Sequence, residues 1–165
     1  MTAGTLKVTT PSDREIVMTR VFDAPRKLVW EALTTPALLK RWLLGPPGWT
    51  MTVCEMDLRV GGAYRYEWLK DDGTVMGMGG VLREVVAPER MTATERFDQS
   101  WYPGEGLVSQ VLTEQGGKTT ITMTLRYESK EARDMVVKSG ATSGMEMGYA
   151  RLAELLAETP AGSGR

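Results

Sequence analysis

The side chains best placed to do chemistry are two glutamates and three tyrosines. Histidine is absent from the 165 residues, and cysteine occurs once, as Cys54. Those two facts remove His-based triads, Cys–His pairs and thiolate or imidazole metal sites, so no metal centre is expected. Catalysis, if any, must use carboxylates, Tyr, Lys, Arg or water. Glu84 and Glu95 are the acid–base candidates, because both fall among apolar residues of strand-like stretches. A carboxyl held in apolar surroundings titrates above its ordinary range, which is how a pocket acid arises. The competing expectation is that a bulge turns them outward, or that an Arg pairs with them. Gln110 needs only neutral hydrogen bonds and is the simpler pocket residue. Tyr64, Tyr66 and Tyr149 each bring an apolar body and a hydroxyl that needs a partner. Cys54 lies in a strand with no activating group and reads as a small buried hydrophobe.

These side chains matter only if the elements bring them together. Ala63 to Leu69 alternates, with Tyr64, Tyr66 and Trp68 on one face. A three-residue loop at Asp71–Gly73 would set Trp68 opposite Met76 and Tyr66 opposite Met78. A four-residue loop at Ala87–Arg90 would set Glu84 opposite Ala93, Leu82 opposite Glu95 and Gly80 opposite Phe97. The Gly116-Gly117 turn sets Leu112 opposite Ile121, Gln110 opposite Met123 and Val108 opposite Leu125. One inner face then holds Tyr64, Tyr66, Trp68, Met76, Met78, Leu82, Phe97, Met123 and Leu125, with Glu84, Glu95 and Gln110 among them.

The element order is a first strand over Glu15–Phe22, two short helices, an antiparallel meander, and a helix that closes the chain. Asp23 is the expected cap of the first helix, with Pro25 in its first turn, and Thr35 with Pro36 opens the second. Glu128–Lys138 reads as helix. For the last helix, Ser143 and Glu146 have the spacing of a capping box. Met145, Tyr149, Leu152 and Leu156 lie within about 60° of one another and form its apolar stripe. Gly144 and Gly148 flank that stripe, marking either a close backbone approach or a space left open. Residues 1–13 and 159–165 read as tails, and 14–158 as one domain.

Net charge is −1, which gives no electrostatic footprint for nucleic acid or acidic lipid. No apolar run approaches membrane-spanning length, and no signal peptide precedes the first strand, so insertion is not expected and a cytoplasmic location is. The single cysteine fits a reducing compartment. No phosphate or dinucleotide fingerprint occurs, so no cofactor is expected. Eleven methionines suit an adaptable apolar cavity, and equally an ordinary core.

The chain resembles the single-domain, START-like relatives of the C-terminal domain of the activator of heat-shock-protein-90 ATPase, in the polyketide-cyclase and birch-pollen-allergen-like superfamily. The resemblance is carried by Val21-Phe22-Asp23-Ala24-Pro25-Arg26, Leu39-Lys40-Arg41-Trp42 and Gly45-Pro46. It continues through Arg59-Val60-Gly61-Gly62, Tyr64-Arg65-Tyr66, Pro88-Glu89-Arg90 and Gly144-Met145-Glu146, and spans about Arg14 to Glu158. It implies an α+β helix-grip fold, a curved antiparallel sheet around a long C-terminal helix with an apolar cavity between them. Where relatives carry Gly-Trp this chain has Gly148-Tyr149, which would add a hydroxyl to the cavity. Chaperone activators carry a further N-terminal domain, for which these residues leave no room.

Three functions follow. The first is binding of a small hydrophobic or aromatic molecule by Tyr64, Tyr66, Trp68, Met76, Met78, Phe97, Gln110, Met123, Met145 and Tyr149. The second is a cyclase, dehydratase or hydrolase using Glu84 or Glu95 with a tyrosine. The third is a stress-related or co-chaperone-like interaction module, whose protein partner would meet an apolar patch at the Trp42–Trp49 loop and Trp101-Tyr102.

Overall fold

The computed structural model describes residues 5–158. In chain order the elements are β1 (Lys7–Thr9), β2 (Glu15–Phe22), α1 (Arg26–Thr34), α2 (Pro36–Trp42), β3 (Trp49–Met56), β4 (Ala63–Lys70), β5 (Val75–Val86), β6 (Arg90–Phe97), β7 (Gly106–Gln115), β8 (Lys118–Arg126), α3 (Lys130–Lys138) and α4 (Ala141–Ala157). The eight strands form one antiparallel sheet in the order β1-β2-β8-β7-β6-β5-β4-β3. Strands β3 to β8 are the meander. The chain reaches β3 from β2 through α1 and α2, so β2 and β3 lie far apart and β2 pairs with β8. This curved sheet, with α4 packed on its inner face, is the helix-grip architecture expected from the sequence.

Period-two burial explains the sheet. Ile16, Met18 and Phe22 of β2 and Ile121, Met123 and Leu125 of β8 are buried on one face, while their neighbours are half-covered. Helix α1 buries Val29, Trp30 and Leu33, α2 buries Leu39 and Trp42, and α4 buries Tyr149, Leu152, Leu155 and Leu156. All belong to one core cluster. Gly116 and Gly117 both have positive φ, as a two-residue turn of this hand requires, and the β7–β8 register is the one that turn dictates, with Gln110 opposite Met123. Trp68 faces Met76 and Tyr66 faces Met78, again as expected.

Four expectations are corrected. Lys7–Thr9, within the stretch read as an N-terminal tail, is an edge strand paired with Val17–Thr19. The remainder of that reading at residues 1–4, and the C-terminal tail at 159–165, lie outside the described residues. The Ser143–Glu146 capping box does not form: α4 begins at Ala141, two residues earlier, because Gly140 at φ +85° lets the chain leave α3 and enter α4 in a single step. Asp23 does not cap α1 either. The Arg26 N–H donates instead to Glu114 Oε1 on β7, at 2.8 Å. Finally, the β5–β6 loop holds three residues, Ala87–Glu89, including a cis Ala87–Pro88 bond, and Val86 pairs with Arg90. A bulge between Leu82 and Glu84 then adds a second slip, so Leu82 faces Ala93 and Met78 faces Phe97. A slip of one residue reverses facing and a slip of two restores it. Near the loop Glu84 therefore changes face, while Glu95 and Phe97 keep theirs.

Among the described residues no helix is long and apolar enough to cross a membrane.

Candidate functional site

Between the inner face of the sheet and helices α2, α3 and α4 lies a hollow of about 550 Å³. Strand β4 contributes Tyr64, Tyr66 and Trp68, β5 contributes Met76 and Met78, β6 contributes Glu95 and Phe97, and β7 and β8 contribute Gln110 and Met123. Met145 closes the wall from α4. The nine strand residues alternate with outward neighbours along each strand, which is why one register assembles them. Met76 and Trp101 are 38% and 39% exposed and stand at the rim.

Two expected residues are not in the wall. Glu84 is turned outward by the bulge beside it and pairs with Thr92, and its Oε1 lies 3.2 Å from Arg90 Nε. The outward reading of that glutamate, with an Arg partner, is the one the geometry supports. Tyr149 is fully buried, but against other core residues. Its ring meets Phe22 edge-on at 5.4 Å and Trp42 at 5.9 Å, and its hydroxyl is buried without a partner. The Arg20 guanidinium, itself buried, donates to the Tyr149 backbone carbonyl. The hydroxyl that replaces a relative's indole therefore does not reach the hollow. Of the flanking glycines, Gly148 accommodates the Trp42 backbone, whose carbonyl would stand 3.4 Å from an added Cβ, and Gly144 borders the hollow beside Pro46.

Several wall residues went unread in the sequence. Tyr127 continues the β8 alternation two positions beyond Leu125, so the period-two rule carried one step further would have included it. Trp101 and Tyr102 sit in the loop before β7, where no periodicity assigns a face. Tyr102 stacks edge-on against both Trp101 at 5.2 Å and Tyr127 at 5.3 Å, and Phe97 lies 4.8 Å from Trp101. The Leu43–Pro46 segment and Trp49 complete the rim.

Several polar groups bordering the hollow are already used by the protein. Tyr64 donates to the Thr94 carbonyl at 2.6 Å, Trp68 Nε1 to the Leu43 carbonyl at 2.8 Å, and Trp42 Nε1 to the Ala32 carbonyl at 3.0 Å. The Tyr102 hydroxyl is buried with no partner. Glu95 is the exception of consequence. Burial pushes its carboxyl from the ordinary 4.5 up to about 7, and no cation or hydrogen bond offsets that burial. Burial also raises Tyr64, Tyr66, Tyr102 and Tyr127, and the Glu95 charge adds to each. The carboxyl thus sits amid four phenols that stay neutral at physiological pH. Cys54 is buried on β3 and burial raises its thiol, which suits an inert core residue. Among the described residues no cluster of His, Cys, Asp or Glu could hold a metal ion.

Residues 23–157 match the family model described as activator of Hsp90 ATPase homolog 1-like protein. The fold is similar to that of a Rhodobacter sphaeroides protein of known structure, with 33% identity and a TM-score of 0.88, over 93% of this chain and 98% of that one. A Mycobacterium smegmatis protein has 25% identity and a TM-score of 0.83, over 94% of this chain and 100% of that one. A Chromobacterium violaceum protein has 29% identity and a TM-score of 0.77, over 88% and 98%. No curated protein matches the chain. The family match over most of the sequence and the near-complete overlap with the Rhodobacter fold agree: this chain belongs to the activator of Hsp90 ATPase homolog 1-like family.

Proposed function

We propose that the protein binds a small hydrophobic or aromatic molecule in the hollow between the sheet and α4. The observation that carries this reading is the wall itself. A space of about 550 Å³ falls within the range of small-molecule sites, and aromatic rings and methionines dominate its lining, with few polar groups. Methionine side chains adapt to irregular shapes, so the site suits a range of ring systems. Trp42, Trp49, Trp68 and Trp101 all border the hollow, so tryptophan emission reports occupancy directly. A panel of hydrophobic and aromatic compounds, titrated by emission and by thermal shift, is expected to yield saturable quenching with a matching rise in Tm. A panel that changes neither signal refutes the reading.

Glu95 favours a second reading, proton transfer to or from the bound molecule, because a carboxyl near pH 7 serves as acid or base. Recovery of every bound compound chemically unchanged after prolonged incubation would dismiss it.

A further inference from the structure

We infer that the molecule taken up is a hydrophobic cation, an amine or quaternary ammonium whose charged head pairs with Glu95 among the aromatic rings while its apolar body fills the methionine-lined space. The inference rests on the binding reading above and narrows it to one chemical class.

Charge gives the first argument. Among the described residues Glu95 is the only acidic side chain in the wall, and no Lys or Arg accompanies it. Helices α2, α3 and α4 contribute no ionisable side chain. An anionic ligand would meet a carboxylate with nothing to offset it. A wholly apolar ligand would strip water from that carboxylate and supply no partner, which is costly for a buried charge. A cation supplies the missing counter-charge.

Aromatic placement gives the second. Two rows of rings share the wall of the hollow with Glu95. One is Tyr64, Tyr66 and Trp68 on β4, with successive centroids 5.1 and 5.9 Å apart. The other runs from Phe97 through Tyr102 to Tyr127, with centroids 6.4 and 5.3 Å apart. Glu95 interacts electrostatically with tyrosines of both rows. Aromatic faces attract ammonium groups, most strongly where water is excluded, and rings beside one carboxylate form a cation site.

The pH dependence follows. The titratable groups facing Glu95 are Tyr64 and Tyr66 from β4, Tyr102 from the β6–β7 loop and Tyr127 after β8. Glu105 and Arg96 act on Tyr102 from further out. Burial keeps the four phenols protonated through the neutral range, so Glu95 alone changes charge near pH 7. Binding of a permanent cation therefore strengthens as pH rises through that region.

Three near-isosteric probes test this: 4-phenylbutyl-trimethylammonium, its neutral analogue bearing a tert-butyl head, and 5-phenylpentanoate. Affinities are measured by tryptophan emission at pH 6 and pH 8, on the wild type and on Glu95→Gln. At pH 8 the wild type is expected to prefer the cation over the neutral probe by about tenfold or more. The preference should shrink at pH 6, and the anion should bind worst. In Glu95→Gln the preference should fall to about twofold or less at both pH values, while the neutral probe still binds, which shows that the hollow is intact. Equal affinity for cation and neutral probe at pH 8, or a preference that survives in Glu95→Gln, overturns the cation inference and leaves hydrophobic binding standing. Failure of all three probes removes both.

Discussion

Glu95 has an environment that few carboxyls share, and stability should register it. Its folded value near 7 lies above the ordinary 4.5. The folded state therefore holds a proton that the unfolded state has released between those values. The associated stability is fully present below about pH 4.5 and is lost as pH rises through 7. Glu95→Gln has no such proton to lose. In urea denaturation the variant and wild type should differ little at pH 4.5, and the variant should be the more stable by ~1–3 kcal/mol at pH 8. The upper figure is the full shift, and water in the hollow reduces it. A difference that does not change with pH would mean the carboxylate is solvated or paired. Glu84 makes the contrast: it is eleven positions earlier, on the neighbouring strand, yet it faces solvent beside Arg90. Their spacing in sequence gave both the same candidacy, and one inserted residue in β5 separated them.

At the scale of elements, glycines mark where backbones press together and where they do not. A Cβ at Gly80 would stand 2.0 Å from the Thr94 carbonyl oxygen on β6. Gly80→Ala must push the β5–β6 ladder apart beside the bulge and should cost roughly 3 kcal/mol or prevent folding, a mechanism of the overpacking kind. Gly144 differs. Within α4, a Cβ there meets Pro46 Cδ at 3.7 Å and Gly45 Cα at 3.9 Å, both ordinary contacts. Gly144→Ala should therefore stabilise by about 0.5–1 kcal/mol through helix propensity. Denaturation curves on the two variants check the opposite signs. The same distinction explains the capping-box misreading. Ser143 and Glu146 have the right spacing, but Gly140 in the left-handed region lets α4 start before them. A local motif yields when the preceding chain can already begin the helix.

At the scale of the molecule, the sheet curves about α4 without filling the space inside. Binding and stability should then be separable. Met145 reaches the hollow from α4 and is only half-buried. Met145→Trp should occupy that space, reduce affinity for any probe that binds the wild type by about tenfold or more, and change stability by less than about 2 kcal/mol. Circular dichroism and the emission titration together check it. A variant that binds as well as the wild type would place the ligand elsewhere.

Much of this arrangement was legible in the residues. Alternation placed Tyr64, Tyr66 and Trp68 on one face, and the two-glycine turn fixed Gln110 against Met123, because period and loop length are local quantities. Tyr149 is where locality ends. Its position on the apolar stripe of α4 was readable, but whether it met open space or Phe22 and Trp42 depended on how α2 and β2 pack against it. Tyr102 had no pattern at all, and only the stacking of its loop against Phe97 and Tyr127 brings it to the wall. By itself the sequence determined the strands from β2 onward, the helices, the fold they make and the absence of any imidazole chemistry. The tertiary structure alone decided which glutamate faces the hollow and which tyrosines surround it. A bulge or a loop contact displaces a side chain by one position or one face, and energies of packing between distant segments, not any rule along the chain, choose where those displacements fall.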